Sequence, residues 1–372
     1  MAPEILMLII ALLALTAYAV FGGADFGAGV WEVNTRLRAD LREKDLLYRA
    51  IGPVWEANHV WLIFLLMILW SGFPVAFAGI SRLLFIPLFL ALFGIVFRGA
   101  AYAFRSSAKT VPRHRQFWEV VFAMASTSAP FFMGVAIGVL TDHHPEIDAR
   151  GQFHGHWLTD WIRPRYLYFG FLATGICVFL AAVFLTRETA GEGDAELYSR
   201  WRKRALGAGL LAGIVAGGGL VVVYLGFPEF WQGLQQRGMP AVLVSIVCGL
   251  GTMVLVARHR PGLATVTAAL AVAMVLAGWG LGHYPWLIRP QLTIDNAAAP
   301  DNVLWLLLGC ILVGLIVVVP PLWWLLRIFK RANTTSAQRF DVLKQKPVPP
   351  QTDDAEEAPA NGGHDFGSQP ES

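Results

Sequence analysis

The sequence predicts an all-α polytopic membrane protein, with about nine transmembrane helices arranged as two four-helix bundles and one peripheral helix. Hydrophobic residues make up 56% of the 372 residues and charged residues only 15%, whereas a soluble domain contains about 25% charged residues. The apolar residues also gather in runs of about 20, the length at which a helix crosses a bilayer. Composition and run length therefore both indicate an integral membrane protein.

The apolar runs define the predicted helices in chain order. They lie near residues 4–22, 53–77, 80–104, 117–140, 166–186, 205–226, 239–257, 263–282 and 302–329. We expect helices 1–4 and 5–8 to form the two bundles, with helix 9 outside them. Only a short turn near Ala78 separates the second and third runs, so these two helices are expected to be antiparallel neighbours.

The distribution of Lys and Arg predicts the orientation in the membrane, because cytoplasmic loops carry an excess of these residues. The loops after predicted helices 1, 3, 5, 7 and 9 are rich in them, while the intervening loops are poor, apart from the fourth. The bias places the N-terminus outside and the C-terminus in the cytoplasm. The net charge of +3 is then a topological signal, and no nucleic-acid partner is expected. The first run lacks a basic leader and a cleavage site, so it is expected to be a retained helix.

Two domains of very different character are predicted. Residues 1–330 form the membrane domain. Residues 331–372 form a cytoplasmic tail that contains Pro347-Val348-Pro349-Pro350 and, after it, several acidic residues. The tail has too little apolar content to bury a core and is expected to be disordered.

No metal site is predicted. Cys177, Cys248 and Cys310 fall inside spans without paired spacing, which is typical of small packing residues. The histidines of the loop after helix 4 match no tight set of zinc ligands, and a solvated polar loop is the favoured interpretation. These histidines are His143, His144, His154 and His156.

Polar residues cluster at one end of predicted helices 1–3. Glu56 and His59 lie three residues apart and share a helix face. Glu56 comes about 22 residues before the turn near Ala78 and Arg98 about 20 residues after it, so their depths differ by about 3 Å. A carboxylate and a guanidinium at similar depth are able to pair. Asp25, just beyond the apolar part of helix 1, belongs to the same leaflet.

Two interpretations of this cluster stay open on spacing alone. Ionisable groups at membrane depth are costly and therefore indicate function, here a relay of protons between the cytoplasm and the membrane interior. Alternatively, Glu56 is an acid in the first turn of a helix that begins after Pro53, and Arg98 extends to the interface. Trp55 and Trp61 are equally compatible with an interfacial aromatic belt.

These residues belong to motifs that resemble subunit II of the cytochrome bd quinol oxidases, including the cyanide-insensitive branch. The resemblance runs to about Lys330, and four motifs occur in the family order. They are Gly22-Gly23-Ala24-Asp25-Phe26-Gly27-Ala28-Gly29; Val54-Trp55-Glu56-Ala57-Asn58-His59-Val60-Trp61; Phe97-Arg98-Gly99 with Phe104-Arg105-Ser106; and Tyr284-Pro285-Trp286-Leu287-Ile288 with Leu292-Thr293-Ile294 and Ala297-Ala298-Ala299-Pro300. The second motif departs from the family: Glu56 replaces Asp, Ala57 replaces Gly, and His59 replaces Glu or Gln.

The resemblance implies the smaller core subunit of a terminal oxidase in the bacterial cytoplasmic membrane. Such a complex oxidises quinol and reduces O2 to water, and is electrogenic without pumping protons. The partner, subunit I, is expected to carry the quinol site and the haems, either two of b type and one of d type or all of b type. A one-helix accessory peptide is a further expected partner, and lipid surrounds the complex.

The resemblance also implies roles for individual residues. Glu56 takes the position of the proton-path carboxylate, and Asp25 that of a supporting acid. The resemblance assigns no role to His59, which stands where the family has Glu or Gln. A histidine ordinarily titrates near neutral pH, so a proton relay is the favoured interpretation, and approach to a haem is the alternative. Trp61 is placed on a lateral O2 route, and no catalytic or haem-ligating residue is expected in this subunit. Side chains expected to orient the cluster are Trp55, Asn58, Arg98 and Arg105.

Two other classes of function compete with this reading. A secondary transporter would bind its substrate near the midplane, between broken helices in matching halves, which this sequence does not display. A purely structural or assembly subunit would leave similar polar residues. Co-purifying haem separates an oxidase from a transporter, and substitution of Glu56 separates a proton-conducting subunit from a scaffold.

Overall fold

The computed structural model describes most of the chain between residues 2 and 324. The described ranges are 2–38, 42–43, 46–47, 55–107, 112–142, 144, 146, 148–150, 152, 154–156, 158–191, 193–317, 320–321 and 324; within them only the backbone is described at 34–38, 55–57, 105–107, 112–113 and 115. The predicted tail, 331–372, lies outside these ranges. Residues Met1–Gly309 form one compact unit, to which the packing described below belongs.

The described chain is almost entirely helical. In chain order the helices are α1 (Pro3–Ala17), α2 (Gly23–Arg38), α3 (Trp55–Gly72), α4 (Pro74–Leu83), α5 (Phe85–Ser107), α6 (Pro112–Leu140), α7 (Pro164–Gly191), α8 (Ala195–Gly226), α9 (Pro228–Gly233), α10 (Met239–Ala257), α11 (Pro261–His283), α12 (Ile294–Ala297) and α13 (Asp301–Val317). Two π-helical turns, Tyr18–Gly22 and Leu234–Gly238, join α1 to α2 and α9 to α10. The predicted helical membrane fold is confirmed.

Among the residues that the structure covers, seven helical stretches are long and apolar enough to cross a membrane. They are Pro3–Val33, Phe85–Phe104, Gln116–Leu140, Pro164–Gly191, Ala195–Gly226, Pro228–Ala257 and Pro261–His283. Two shorter apolar helices, Asn58–Gly72 and Asp301–Val317, occupy the positions predicted for helices 2 and 9. The total of nine spans therefore stays a prediction.

Several apolar clusters stabilise the packing of the described helices, and two of them are assigned here to the two predicted bundles. The first contains Tyr18, Phe26 and Ala129, with side chains of α3 and α5 packed against them. The second draws on α7, α8, α10 and α11, and these four helices touch one another in a closed ring. Contact between α2 and α7 joins the bundles.

The contact between α2 and α7 depends on Gly27. A Cβ atom at this position would collide with the carbonyl group of Cys177 and would lie 2.8 Å from Cβ of Ala181. The absence of a side chain therefore sets how closely the two helices approach.

The sequence prediction was wrong about the segment from Gly23 to Arg38. It was expected to begin a loop, because apolar residues give way to glycines after Gly22. Instead it continues α1 as helix α2, and the apolar span extends to Val33. The glycines provide close helix contact rather than a turn, so Asp25 lies inside a helix.

The predicted short turn near Ala78 was also wrong. A separate ten-residue helix, α4, occupies Pro74–Leu83. Proline cannot donate a backbone hydrogen bond inside a helix and is favoured in the first turn of a new one. Pro74 accordingly follows Phe73, which is non-helical (φ −136°, ψ 61°).

Two further helix boundaries differ from the prediction. The basic segment 187–204 was expected to be a loop but is largely helical, because α7 reaches Gly191 and α8 begins at Ala195. The side chain of Asp194 accepts a hydrogen bond from the backbone of Leu197 and so caps α8. Residues 228–238, also expected to be a loop, form α9 and the second π-helical turn.

The predicted last outer loop folds into a small hairpin. Strand β1 (Trp286–Ile288) pairs antiparallel with β2 (Leu292–Thr293). The short α12 follows, and Thr293 and Asn296 close a reciprocal capping box at its start. The backbone N–H of His144 donates to the carbonyl of Arg289, which ties the hairpin to the loop after α6.

Candidate functional site: a buried ion pair between helices α2, α5 and α6

Arg98 lies at the centre of the polar cluster. It is 1% exposed, and its guanidinium reaches two neighbouring helices from α5. Nη2 donates to Oδ1 of Asp25 at 2.5 Å and to the backbone carbonyl of the same residue at 3.3 Å. Nε donates to Oγ of Ser126 on α6 at 3.1 Å. One cation thus joins three helices inside the apolar region.

Two aromatic rings enclose the guanidinium. Its central carbon lies 5.1 Å from the ring centre of Phe26 and 5.0 Å from that of Phe122. Cation–π contacts of this kind contribute about 0.5–2 kcal/mol, more when water is excluded. The rings and the three hydrogen bonds hold the charge of Arg98 in one place.

Asp25 supplies the negative charge. It lies near the start of α2, which continues α1 through a π-helical turn. The π-helical turn Tyr18–Gly22 comes just before it, and such turns occur frequently at functional sites. Oδ1 is bound to Arg98, while Oδ2 is buried and has no hydrogen-bond partner among the described residues. A carboxylate held in this way keeps one oxygen able to accept a proton.

His59 and Asn58 approach the same region from α3. Nδ1 of His59 lies 3.4 Å from the hydroxyl of Tyr18, and its ring centre is 6.0 Å from that of Tyr18 and 6.2 Å from that of Phe26. The amide nitrogen of Asn58 donates to the carbonyl of Phe21 at 3.3 Å. Asn58 therefore satisfies a carbonyl of the π-helical turn that precedes Asp25.

The other predicted site residues are only partly described. Trp61 is half-buried and packs against the cluster of Tyr18, Phe26 and Ala129. For Trp55, Glu56 and Arg105 the structure describes the backbone but not the side chains. The predicted pair between Glu56 and Arg98 therefore stays a prediction, and the carboxylate observed on Arg98 is that of Asp25.

Sequence reasoning missed Tyr18 and Ser126. Tyr18 lies in an apolar stretch, and Ser126 begins the run Ser126-Thr127-Ser128. Hydroxyls within a helix commonly donate to its own backbone, as those of Thr127 and Ser128 do, so neither hydroxyl is a signal in itself. The sequence offers a weak signal for Tyr18 alone. Tyr18 comes seven residues before Asp25, and residues with that spacing share one face of a regular helix.

A second charged cluster holds the segment after α2. Glu43 is fully buried and accepts hydrogen bonds from Arg200 and Arg204 at 3.0 Å each. The guanidinium of Arg204 lies 4.5 Å from the ring centre of Trp201 and 5.5 Å from that of Trp31. These contacts hold Glu43 against the first turns of α8.

The described residues of the loop after α6 make ordinary polar contacts. Ring nitrogens of His144 lie 2.9 Å from Oε1 of Glu146 and 2.6 Å from the carbonyl of Val139. Burial raises the pKa of Glu146, but the hydrogen bonds with His144 and with the backbone of Glu146, together with the charges of His144 and Arg163, outweigh burial and hold that pKa below its usual range. In the described part of the chain, no group of three metal-binding side chains occurs.

The rings of Tyr18 and Phe26 pack beside the imidazole of His59. That the haems belong to the partner subunit stays a prediction.

Comparison with known proteins agrees with the motifs. The family model for cytochrome bd terminal oxidase subunit II matches residues 3–329. The chain belongs to this family. It is 25% identical over 289 residues to the cytochrome bd ubiquinol oxidase subunit 2 of Bacillus subtilis, covering 75% of this chain and 81% of that protein. It is 28% identical over 200 residues to the cytochrome bd-I ubiquinol oxidase subunit 2 of Escherichia coli K12, covering 53% and 51%.

The fold of this subunit II also resembles a solved structure. A chain of the bd oxidase from Geobacillus thermodenitrificans superposes with a TM-score of 0.72 at 22% identity, covering 88% of the present chain and 99% of that chain. The arrangement of helices is thus shared, although the sequences have diverged widely.

Proposed function

We propose that this subunit II works in a terminal oxidase that oxidises quinol and reduces O2 to water. The haems and the quinol site belong to the partner subunit I. The complex lies in the bacterial cytoplasmic membrane, with the N-terminus of this chain outside. Protons consumed in the reaction enter from the cytoplasm, which makes turnover electrogenic without pumping.

The observation that carries a role in proton delivery is the buried pair of Asp25 and Arg98. An ion pair within membrane helices is costly to bury and indicates a functional site. Arg98 keeps Asp25 oriented through Oδ1, and Oδ2 is the atom that accepts a proton. The same cluster includes His59, and Glu56 lies one turn before His59 on α3. Asp25 and His59 line the proposed path for protons between the helices, and Glu56 is the third protonatable residue assigned to it.

The proposed division of labour assigns the redox chemistry to the partner. Electron transfer to O2 is supplied by the haems of subunit I. In this chain, Asp25, Glu56 and His59 exchange protons, Arg98 and Asn58 position the cluster, and Trp61 borders the route by which O2 enters from the lipid. Trp55 and Arg105 support the ends of α3 and α5.

The test uses Asp25→Asn and Glu56→Gln in the complex purified with its partner. Asparagine retains an oxygen for Arg98, and both variants remove a protonatable group. We expect normal haem content and quinol-driven O2 consumption that is slower by about tenfold or more. Glu188→Gln, which changes an exposed acid of α7, is the control and should retain full turnover. Full turnover in the assembled Asp25→Asn and Glu56→Gln complexes would refute the proton path.

A structural role is the second candidate, favoured by the close packing of Phe26 and Phe122 around Arg98. A purely structural pair predicts that Asp25→Asn lowers the amount of assembled complex, while each complex that does assemble turns over normally. Turnover per haem therefore separates the two functions. Family membership removes the transporter alternative.

A further inference from the structure

Helices α8 and α10 belong to the two least buried of the seven described membrane-crossing stretches, Ala195–Gly226 and Pro228–Ala257. The two helices are neighbours in the second bundle. Side chains on their outer surface are strongly exposed: Leu210 on α8 is 63% exposed and Leu250 on α10 is 64% exposed. An apolar surface of this kind must be covered by lipid or by another apolar protein.

Two contacts fix the register of α8 against α10. Near the start of α8, Nε and Nη2 of Arg202 donate to the carbonyls of Val256 and Ala257 at 3.1 and 2.9 Å. Further along α8, a Cβ atom at Gly209 would collide with the sulfur of Met253. Residue numbers therefore rise along α8 while they fall along α10, so the two helices are antiparallel.

The space between the helices opens one turn beyond the second contact. Gly213 follows Gly209 by four residues, and Gly249 precedes Met253 by four, so these two glycines lie at about the same level. A Cβ atom at Gly213 or at Gly249 would meet nothing within 4 Å, and the same holds for Gly217, one turn further along α8. We call this open space, lined by Gly213, Gly217 and Gly249, the α8–α10 groove.

The distance from Arg202 to the groove matches one leaflet of a bilayer. Gly213 lies 11 residues beyond Arg202, which corresponds to about 16.5 Å along α8. Half of the hydrocarbon core is about 15 Å thick. With Arg202 at the level of the headgroups, the glycines therefore lie near the middle of the bilayer, where an acyl chain that begins at the membrane surface ends.

Basic residues gather where α8 begins and α10 ends. Lys203 lies on α8, Arg258 and Arg260 flank the turn between α10 and α11, and all three are exposed. Among the described residues none of the three has an acidic partner. The sequence also contains no acid at 197–228 or at 230–294. The positive charge at this corner is therefore not compensated by the described part of the chain.

Neighbouring arginines of α8 show the contrast, because their charge is compensated. Arg200 and Arg204 both donate to the buried carboxylate of Glu43. An excess of basic residues is a general mark of cytoplasmic loops, but a paired arginine attracts no further anion. The unpaired basic residues at the α8–α10–α11 corner attract an anion that the described chain does not supply.

We propose that the α8–α10 groove and the basic corner beside it bind a phospholipid with an anionic headgroup. Lys203, Arg258 and Arg260 hold the headgroup, and one acyl chain follows the groove to Gly213 and Gly249. A helix of a partner protein fits this place less well, because a helix is about 10–12 Å wide and does not enter a groove between two helices in contact. Basic clusters beside membrane helices attract anionic lipids. The proposal does not depend on the proposed oxidase function.

The test uses the complex purified with its partner and stripped of lipid in detergent. Dioleoylphosphatidylglycerol, which is anionic, or dioleoylphosphatidylcholine, which is zwitterionic, is then added. The thermal midpoint of unfolding is followed by tryptophan fluorescence, which requires no haem. We expect phosphatidylglycerol to raise the midpoint, as a ligand of the folded state does, and phosphatidylcholine to leave it unchanged.

Two substitutions act on opposite ends of the lipid, so each tests the site separately. In the double variant Arg258→Gln with Arg260→Gln, the phosphatidylglycerol concentration that gives half of the shift should rise about thirtyfold, the equivalent of about 1 kcal/mol for each arginine. Gly213→Leu fills the groove and should abolish the shift. Its midpoint without lipid should not fall, because the position is open and leucine favours helix.

The controls change similar residues outside the site and should respond like the unsubstituted complex. Arg187→Gln removes an exposed arginine of α7. Gly207→Leu fills an equally open position of α8 that is turned about 120° away from Gly213. Equal shifts from the two lipids would overturn the proposal, because the groove would then have no preference for negative charge. A phosphatidylglycerol shift that persists in Gly213→Leu would also overturn it, as would the absence of any shift in the unsubstituted complex.

Discussion

Arg98 is a positive charge held by a guanidinium that makes several directed contacts. It contacts Asp25 and Ser126 through separate nitrogens and lies over the rings of Phe26 and Phe122. A lysine has the same charge, but its single ammonium group cannot reach both helices or stack in the same way.

Arg98→Lys is therefore expected to destabilise the complex by about 1–3 kcal/mol. The measurement is the temperature at which the purified complex loses its haem absorbance, compared with the unsubstituted complex. Arg82→Lys, at an exposed position on α4, is the matched control and should leave this temperature unchanged. Equal midpoints for the two variants would show that the geometry of Arg98 does not matter.

Several residues of the site were predictable because ionisable groups are conspicuous in an apolar sequence. Asp25, Asn58, His59 and Arg98 were all singled out, and the structure brings them together. The carboxylate on Arg98 was not foreseen, because Asp25 was placed beyond helix 1 rather than within a continuous helix. Tyr18 and Ser126 were missed because hydroxyl side chains within a helix commonly donate to its own backbone, so the pattern does not show which of them bonds to a charged group.

At the level of elements, helix approach depends on particular glycines. Gly27 allows α2 to lie against the backbone of α7 near Cys177, whereas Gly175 on α7 has nothing within 4 Å of the position its Cβ would take. The two glycines thus allow a comparison between a packed and an open site.

Gly27→Ala is expected to force α2 and α7 apart and to cost about 1–3 kcal/mol through overpacking. The measurement is the yield of complex that retains its haem, together with its thermal midpoint. Gly175→Ala should behave like the unsubstituted chain, or slightly better, since alanine favours helix. Similar yields and midpoints for both variants would contradict the packing argument.

The spans themselves were predictable, because about 20 apolar residues must cross the bilayer as helix. The connections were harder to predict. Helix α4 was missed because Pro74 interrupts an apolar run that looks continuous by composition. The segment from Gly23 was mistaken for a loop because glycine marks turns in soluble proteins but close helix contacts in membranes.

At the level of the whole molecule, the outer surface of the long helices is strongly apolar. The side chains of Phe85, Phe89, Phe93 and Phe97 form a ladder along α5, each partly exposed and in contact with the next. Such a surface is stable only when lipid or another apolar protein covers it. This agrees with a subunit that is embedded in the membrane beside a partner.

The central claim is that this chain belongs to a working quinol oxidase. The most direct test is purification of the tagged chain from its native membrane, followed by an absorbance spectrum and an assay of quinol-driven O2 consumption. We predict a larger co-purifying subunit, reduced-minus-oxidised bands of b-type haem with or without d-type haem, and O2 uptake on addition of quinol. A chain that purifies alone, without haem and without O2 uptake, would contradict the account.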